Sequence, residues 1–150
     1  MKAIILLAAA AVVLAGCQNS AQKQAETLLK QADEAFEKGQ YDRAIIKIDS
    51  LRELYPSAID VRTRALKLYQ NVELKRAQIH LEAVDSMLQA AKREYDSMKP
   101  DVELAKQELR ATQEQMQAYN MTKAKIDSLQ VLFDTECAKI KYIRKKQKEL

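Results

Sequence analysis

The apolar residues of this chain recur three and four positions apart over most of its length, which is the spacing of amphipathic helices. This pattern predicts a first helix from Ser20 to Lys38 and a second from Tyr41 to Leu54. Gly39 separates the two, because glycine accepts the left-handed conformation at a helix C-terminus, and Pro56 ends the second. The predicted apolar faces consist of Ala25, Leu28, Ala32, Ala35 and Phe36, and of Ala44, Ile45, Ile48, Leu51 and Leu54.

From Leu81 onward the spacing alternates regularly between three and four, which is the heptad pattern of a coiled coil. Pro100 interrupts the pattern and predicts a tight connection, so we expect two arms that fold back antiparallel. The phase of the pattern slips near Lys123. The predicted seam consists of Leu81, Val84, Leu88, Ala91, Tyr95, Met98, Val102, Ala105, Leu109, Thr112, Met116, Tyr119, Ile126, Leu129, Phe133, Ile140 and Ile143.

Residues 58–98 leave two interpretations open, either two helices with a turn near Asn71 or one long helix. The apolar phase changes between Val72 and Ala77, which favours the pair of helices. After residue 16 the strong helix breakers are Gly39, Pro56 and Pro100, and Ala, Leu, Lys, Gln and Glu are abundant. We therefore expect an all-α fold, with a helical hairpin followed by long antiparallel coiled-coil helices.

The N-terminus begins with Lys2, continues with an apolar run from Ala3 to Leu14 and closes with Leu14-Ala15-Gly16-Cys17. A charged start and a short apolar core predict an export signal. Its last four residues resemble the lipobox of bacterial lipoproteins. That resemblance implies that residues 1–16 are removed and that Cys17, as the new N-terminus, carries covalent lipid, the only cofactor expected. An ordinary secretory signal with a chance cysteine is the alternative.

The residue after the cysteine bears on the membrane to which the lipid attaches. Gln18 stands where an aspartate would resemble an inner-membrane retention signal. The resemblance therefore implies an outer-membrane anchor that faces the periplasm, followed by a tether over residues 17–24. No acidic cluster of the kind that sends some lipoproteins to the cell surface follows Cys17, and no later segment is apolar enough to span a membrane.

Residues 25–58 resemble one tetratricopeptide repeat, a helix pair of about 34 residues. Ala32 and Ala44 match its small positions, Gly39 and Tyr41 its turn, and Pro56 its closing proline. The stretch is also similar to the start of outer-membrane assembly lipoproteins. This implies a binding scaffold with a tetratricopeptide-like helical region over 25–98 and a long coiled-coil helix over 99–150.

The net charge of +4 is concentrated at one end of the chain. Residues 17–138 carry 18 Lys and Arg against 20 Asp and Glu. We therefore predict either a solubilising helix end that complements the helix dipole or contact with an anionic surface, and export argues against nucleic acid. The basic residues of this tail are Lys139, Lys141, Arg144, Lys145, Lys146 and Lys148.

The residue types needed for catalysis or metal binding are scarce. His80 is the single histidine, so no zinc site with two histidines can form, and no cysteine pair has ligand spacing. We expect no enzyme activity and no metal. With Cys17 lipidated, Cys137 is either a buried small apolar side chain or one half of an intermolecular disulfide across a dimer seam.

These features predict a protein–protein interaction scaffold or adaptor on the periplasmic side of the outer membrane. An envelope protein is the expected partner, and the coiled coil also allows a homodimer. A holdase chaperone and a tether between the outer membrane and the cell wall are the alternatives. Exposed aromatic residues often anchor interfaces, so the candidate partner surface comprises Phe36, Tyr41, Tyr69 and Tyr95.

Overall fold

The structure is a computed structural model that describes the backbone of residues 2–149 and the side chains of residues 20–149. It contains four helices and, within residues 2–149, no strand, which confirms the all-α fold. Two compact units divide the chain, one that ends at Glu73 and one that spans Leu74–Glu149. The helices are α1 (Lys2–Glu37), α2 (Tyr41–Leu54), α3 (Ile59–Gln107) and α4 (Gln113–Lys148).

In the first unit, the bounds of α2 are those predicted, and Gly39 ends the preceding helix. Gly39 has a φ of +70°. Its N–H donates to the Phe36 carbonyl at 2.9 Å, and the Gln40 N–H donates to the Ala35 carbonyl at 2.9 Å. This pair of bonds satisfies the last carbonyls of α1 and turns the chain into α2.

The core of the first unit is rich in alanine, which lets the helix backbones approach closely. Ala32 and Ala44, the two small positions of the predicted hairpin, are fully buried. Ile48 and Leu51 fill the space beside them, and both are also fully buried. The start of α3 adds a third helix to this core through its buried residues Val61, Ala65, Leu68 and Val72.

Residues 20–24, which the sequence placed both at the start of the first helix and within the tether, lie in α1. Tyr55 donates its hydroxyl proton to Oε1 of Gln24 at 2.9 Å, and Ala25 beside it is fully buried. The polar composition of this segment suggested a linker. The segment contains no helix breaker, however, and one of its side chains bonds to the end of α2.

In the second unit, α3 presents a regular row of buried and half-buried side chains at alternating spacings of three and four. Val84, Leu88 and Ala91 from this row form a cluster with Leu129 of α4. The row continues past Pro100 to Val102 and Ala105, which are 4% and 1% exposed. Its members are Ala77, Leu81, Val84, Leu88, Ala91, Tyr95, Met98, Val102 and Ala105.

The contacts between α3 and α4 in this unit run in opposite directions along the two helices. His80 contacts Glu136, Lys92 contacts Gln130 and Tyr95 contacts Tyr119. Residue numbers therefore rise along one helix as they fall along the other. On α4, the buried and half-buried positions are spaced by three, instead of alternating, between Met116, Tyr119 and Thr122. The phase slip predicted near Lys123 lies at this place.

Two predicted connections are wrong, because α3 is one continuous helix from Ile59 to Gln107. No turn forms near Asn71. Val72 is buried in the first unit, and Ala77 is buried beyond the division at Glu73. The phase change therefore marks the place where one continuous helix passes from the first unit into the second. Pro100 is exposed and lies inside the helix. Burial of Val102 offsets much of the roughly 3 kcal/mol that an internal proline costs.

The connection between α3 and α4 lies nine residues beyond the proline, at Leu109. Leu109 has a φ of +54°; its N–H donates to the Lys106 carbonyl, and the Arg110 N–H donates to the Ala105 carbonyl. This is the hydrogen-bond pattern of the Gly39 turn. Leu109 is 95% exposed, so its predicted place in the seam is wrong. Thr112 then begins α4 by accepting a hydrogen bond from the Gln115 N–H, while the Gln115 side chain accepts one from the Thr112 N–H.

Candidate interaction surfaces

The four aromatic residues predicted to form a partner surface are half-buried, and each has contacts within the fold. The rings of Phe36 and Tyr41 lie 5.9 Å apart across the Gly39 turn, tilted by 55°. The guanidinium of Arg52 lies 4.7 Å from the centre of the Tyr69 ring. These three aromatic residues pack against the core of the first unit. They therefore support the hairpin and offer a partner only part of each ring.

Tyr95 belongs to a polar cluster near the turn between α3 and α4. Its ring stacks on that of Tyr119 with centres 4.6 Å apart, and its hydroxyl donates to the Tyr119 hydroxyl at 2.5 Å. The Tyr119 hydroxyl in turn donates to Oε1 of Glu103 at 3.4 Å, and Lys106 Nζ donates to the same oxygen at 3.0 Å. The four side chains satisfy one another's polar groups.

This cluster changes the protonation equilibria of two of its members. The Tyr95 hydrogen bond, together with desolvation and the nearby Glu103 carboxylate, raises the pKa of Tyr119 to about 12. The Lys106 hydrogen bond holds the pKa of Glu103 below its ordinary value. The Tyr119 shift arises from contacts that join α3 and α4, whereas the largest cause of the Glu103 shift is Lys106, one turn away on α3. The cluster is therefore a structural clasp, because neither shift brings a group towards neutral pH for proton transfer.

His80, the single histidine, pairs with a carboxylate on the other helix. Its Nδ1 lies 2.9 Å from Oε1 of Glu136, whose side chain is 14% exposed. Cys137 beside it is a free, half-buried thiol, which leaves both of its predicted roles open. Among residues 20–149, no three His, Cys, Asp or Glu side chains are grouped as metal ligands would be. No helix of that described part is long and apolar enough to cross a bilayer.

The basic residues of the C-terminal tail lie in the last three turns of α4 and therefore belong to regular structure. Lys146 Nζ donates to Oε2 of Glu149 at 2.7 Å and lies 5.9 Å from the centre of the Tyr142 ring. The hydrogen bond to Glu149 raises the pKa of Lys146. Lys141, Arg144, Lys145 and Lys148 are exposed. A helix therefore presents these cations in a fixed pattern.

A shallow groove in the first unit separates α1 from the start of α3. Leu29 and Leu68 form its apolar floor, and the Arg64 guanidinium bonds to the Glu26 carboxylate at its edge. Lys30 and Asp33 line it as well. With two acids and two bases around it, the groove has no net charge that selects a charged partner.

The largest exposed apolar side chains of α4 were absent from the predicted partner surface. Met121, Val131 and Tyr142 are 64%, 65% and 61% exposed, although the same helix carries many charged residues. They lie on the side of α4 that faces away from its buried row. The sequence contains a signal for them, since they belong to a second set of alternating spacings that lies beside the apolar seam in the same helix.

The side chain of Cys17 and the rest of the predicted signal lie outside the residues whose side chains the structure describes. Lipid attachment therefore stays a prediction. In comparisons with protein-family models, with curated proteins and with solved structures, nothing matched this chain.

Proposed function

We propose that this chain is a lipid-anchored protein of the bacterial envelope that acts as a scaffold for protein–protein binding. In this proposal, Cys17 carries the lipid in the outer membrane, facing the periplasm. A tetratricopeptide-like hairpin and an antiparallel coiled coil follow it. The likeness of Leu14-Ala15-Gly16-Cys17 to a lipobox supports lipidation of Cys17. The two or three acyl chains of such a lipid would hold the protein on a bilayer far longer than one chain does.

The architecture that we assign rests on two sets of packed residues. The buried alanines of α1 and α2, with the Gly39 turn, support the tetratricopeptide-like hairpin. The buried row of α3, whose spacing alternates over nine positions, supports the coiled coil. Many proteins build binding surfaces on both kinds of scaffold, so the function must be inferred from the surface residues and not from the fold.

One observation carries the binding function, namely the exposed apolar side of α4. Met121, Val131 and Tyr142 lie there with more than half of their surfaces accessible. Each exposed apolar side chain alone is ordinary, but several in register on one helix mark an interaction site. The buried residues of α4 already face α3, so this side is available to another molecule.

The test is crosslinking of the full chain in living cells, followed by denaturing purification and mass spectrometry. One dominant envelope protein is the expected result, and Cys17→Ser is expected to move the protein out of the membrane fraction and to reduce that crosslink. A broad set of unfolded envelope proteins would instead identify a holdase chaperone. Peptidoglycan fragments alone, lost on deletion of residues 139–150, would identify a cell-wall tether.

A further inference from the structure

The side of α4 that faces away from α3 carries a complete second heptad row. Its seven positions run from Met121 to Tyr142, all are exposed, and none is charged. We call this set the outer row. Its members are Met121, Ala124, Ser128, Val131, Thr135, Ala138 and Tyr142.

Two of the three hydroxyl groups in the outer row are satisfied by the helix itself. Ser128 donates its hydroxyl proton to the Ala124 carbonyl at 2.9 Å, and Thr135 donates to the Val131 carbonyl at 2.7 Å. Because both hydroxyl protons already have a backbone carbonyl as acceptor, neither needs a water molecule. A partner can therefore cover Ser128 and Thr135 without leaving a buried donor unpaired, and only the Tyr142 hydroxyl at the end of the row needs an acceptor from the partner or from water.

The side of α3 that faces away from α4 carries charge, and it therefore serves as an internal comparison for the outer row. Its outward row begins at Ile79 and ends at Leu104, and both are exposed, but Arg93 and Pro100 interrupt the row between them. A helix that packed along this row would have to bury the Arg93 charge or leave the contact incomplete. The charge-free run is thus specific to α4.

We propose that the outer row binds an amphipathic helix of another protein, with large apolar residues in its seam and acidic residues beside them. This inference rests on the proposed scaffold function and names the chemistry of the partner. The large side chains follow from the small size of Ala124, Ser128, Thr135 and Ala138. Well-packed helix pairs set large residues against small ones.

The acidic flanks follow from the charges beside the outer row. One side carries Lys125, Lys139 and Lys146, with the exposed Leu132 among them. The other side carries Asp127 and Asp134 and then becomes basic at Lys141. Residues at the flanking heptad positions select partner and orientation in coiled coils. Acidic residues are therefore expected on the partner helix opposite positions 139–146.

A second copy of this chain fits the outer row less well. In a parallel pair, Asp134 would meet Lys139 of the other copy, but Lys141 would meet its Lys146. In an antiparallel pair, the lysines on the first flank would face one another. Two faces of Ala, Ser and Thr would also bury little apolar surface against each other.

A lipid surface is also a poorer occupant than a protein helix. Interfacial helices insert large side chains such as Trp, Phe and Leu into the bilayer. Four of the seven residues of the outer row are Ala, Ser or Thr, which add little to membrane affinity. Small side chains instead permit the close approach of a second helix backbone.

The experiment uses the full chain in living cells, with a photoreactive residue at Val131 or Ala138 and a matched control at Leu104 on α3. The expected result is a crosslink from both outer-row positions, and none from Leu104, to one segment of another protein. Mass spectrometry of the crosslinked peptide is expected to identify a helix with acidic residues beside a large apolar seam.

Charge reversal at Lys141→Glu with Lys145→Glu is expected to reduce that crosslink about tenfold or more, whereas the Asp127→Asn control retains it. Circular dichroism verifies that each variant keeps the helical content of the parent. All three sites are exposed, so we expect the fold to survive.

Three outcomes would overturn the inference. A crosslink to a second copy would identify a homodimer, and a crosslink to lipid would identify a membrane contact. A protein segment without acidic flanks, insensitive to the charge reversal, would refute the assigned chemistry. Photoreactive residues at Leu29 and Leu68 distinguish failure of this inference from failure of the scaffold function. A partner captured only at these two positions would support the scaffold function and would show that the outer row is not the binding site.

Discussion

Oε1 of Glu136 lies 2.9 Å from Nδ1 of His80, and this pair crosses a seam that is lined mainly by apolar side chains. Glu136 lies between Phe133 and Ile140 in the buried row of α4, where its side chain is only 14% exposed. Its Oε2 is buried without a hydrogen-bond partner among the described residues. The seam thus contains a carboxylate that is only half satisfied, and His80 is the group that bonds to it.

We predict that Glu136→Leu stabilises the second unit. Replacing a buried ion pair by apolar side chains of similar size is often neutral or stabilising by about 1–4 kcal/mol. Here His80 is 54% exposed, so loss of Glu136 leaves no buried charge behind, and the unpaired Oε2 disappears as well. The measurement is urea unfolding of the full chain at neutral pH. A lower midpoint than that of the parent would mean that the Glu136 carboxylate contributes more to stability than its burial costs.

The same pair predicts a coupling between the two residues. His80→Ala is expected to destabilise the parent by about 1 kcal/mol, because it removes the partner of Glu136. In the Glu136→Leu background, His80→Ala is expected to change the free energy of unfolding by less than about 0.5 kcal/mol. Equal effects in both backgrounds would show that the contact contributes nothing measurable.

The two turns that share one hydrogen-bond pattern predict opposite effects of substitution. Leu109 holds a φ of +54°, which costs an L-residue about 1 kcal/mol relative to glycine, and its exposed side chain contributes little packing. Leu109→Gly is therefore expected to stabilise the protein by about 0.5–1 kcal/mol. Gly39→Ala is expected to destabilise it by a similar amount, through backbone conformation alone, since an added Cβ would meet no atom within 4 Å.

Thermal unfolding of the two variants beside the parent measures both effects. Destabilisation by Leu109→Gly would indicate that the leucine side chain has a packing role. An unchanged midpoint in Gly39→Ala would indicate that the α1–α2 turn tolerates an L-residue at a positive φ.

These turns also show which parts of the fold sequence patterns can predict. Gly39 and Pro56 predicted the ends of α2 because each has a backbone property that favours one conformation strongly. Leu109 has no such property. Its conformation is set by the packing that precedes it, since the buried row of α3 ends at Ala105 and the next turn of the chain is free to reverse. No local pattern in the sequence marks that position.

For the candidate site, the heptad pattern was informative only in part. It predicted the buried row of α4, because apolar residues such as Leu129 and Ile140 dominate it. It failed to predict the outer row, because Ser128 and Thr135 read as polar although their hydroxyl protons are bonded to the helix backbone. Residue type alone favoured the aromatic side chains as partner contacts, whereas Tyr95 is stacked on Tyr119 between α3 and α4.

Pro100 predicts a stabilising substitution within α3. Proline has no N–H, so the Asp96 carbonyl four residues earlier lacks its helical donor, and the ring crowds that carbonyl. Pro100→Ala restores the donor on an exposed face and is expected to raise the free energy of unfolding by about 1–2 kcal/mol, after allowance for the greater freedom of the unfolded chain.

Hydrogen exchange of the full chain measures this effect where it arises. Amide protection over residues 96–105 is expected to increase in Pro100→Ala. The exposed neighbour Lys99→Ala is the matched control, for which we expect a change within about 0.5 kcal/mol. Unchanged protection in Pro100→Ala would mean that the helix adapts to the proline at no cost.

The tyrosine pair predicts how stability falls in alkali. Tyr119 has an ordinary pKa of 10.0 when unfolded and a pKa raised to about 12 when folded, so the unfolded chain loses this proton first. The contribution of Tyr119 is therefore fully present below about pH 10 and is lost as the pH rises towards about 12. The stability advantage of the parent over Tyr119→Phe is expected to shrink across that window.

The Tyr95 hydrogen bond is the largest cause of the shift, so Tyr95→Phe is expected to lower the pKa of Tyr119 more than Glu103→Gln does. Ultraviolet titration of tyrosinate in the two variants measures that order. The reverse order would show that the Glu103 charge, rather than the contact between the two tyrosines, governs the clasp.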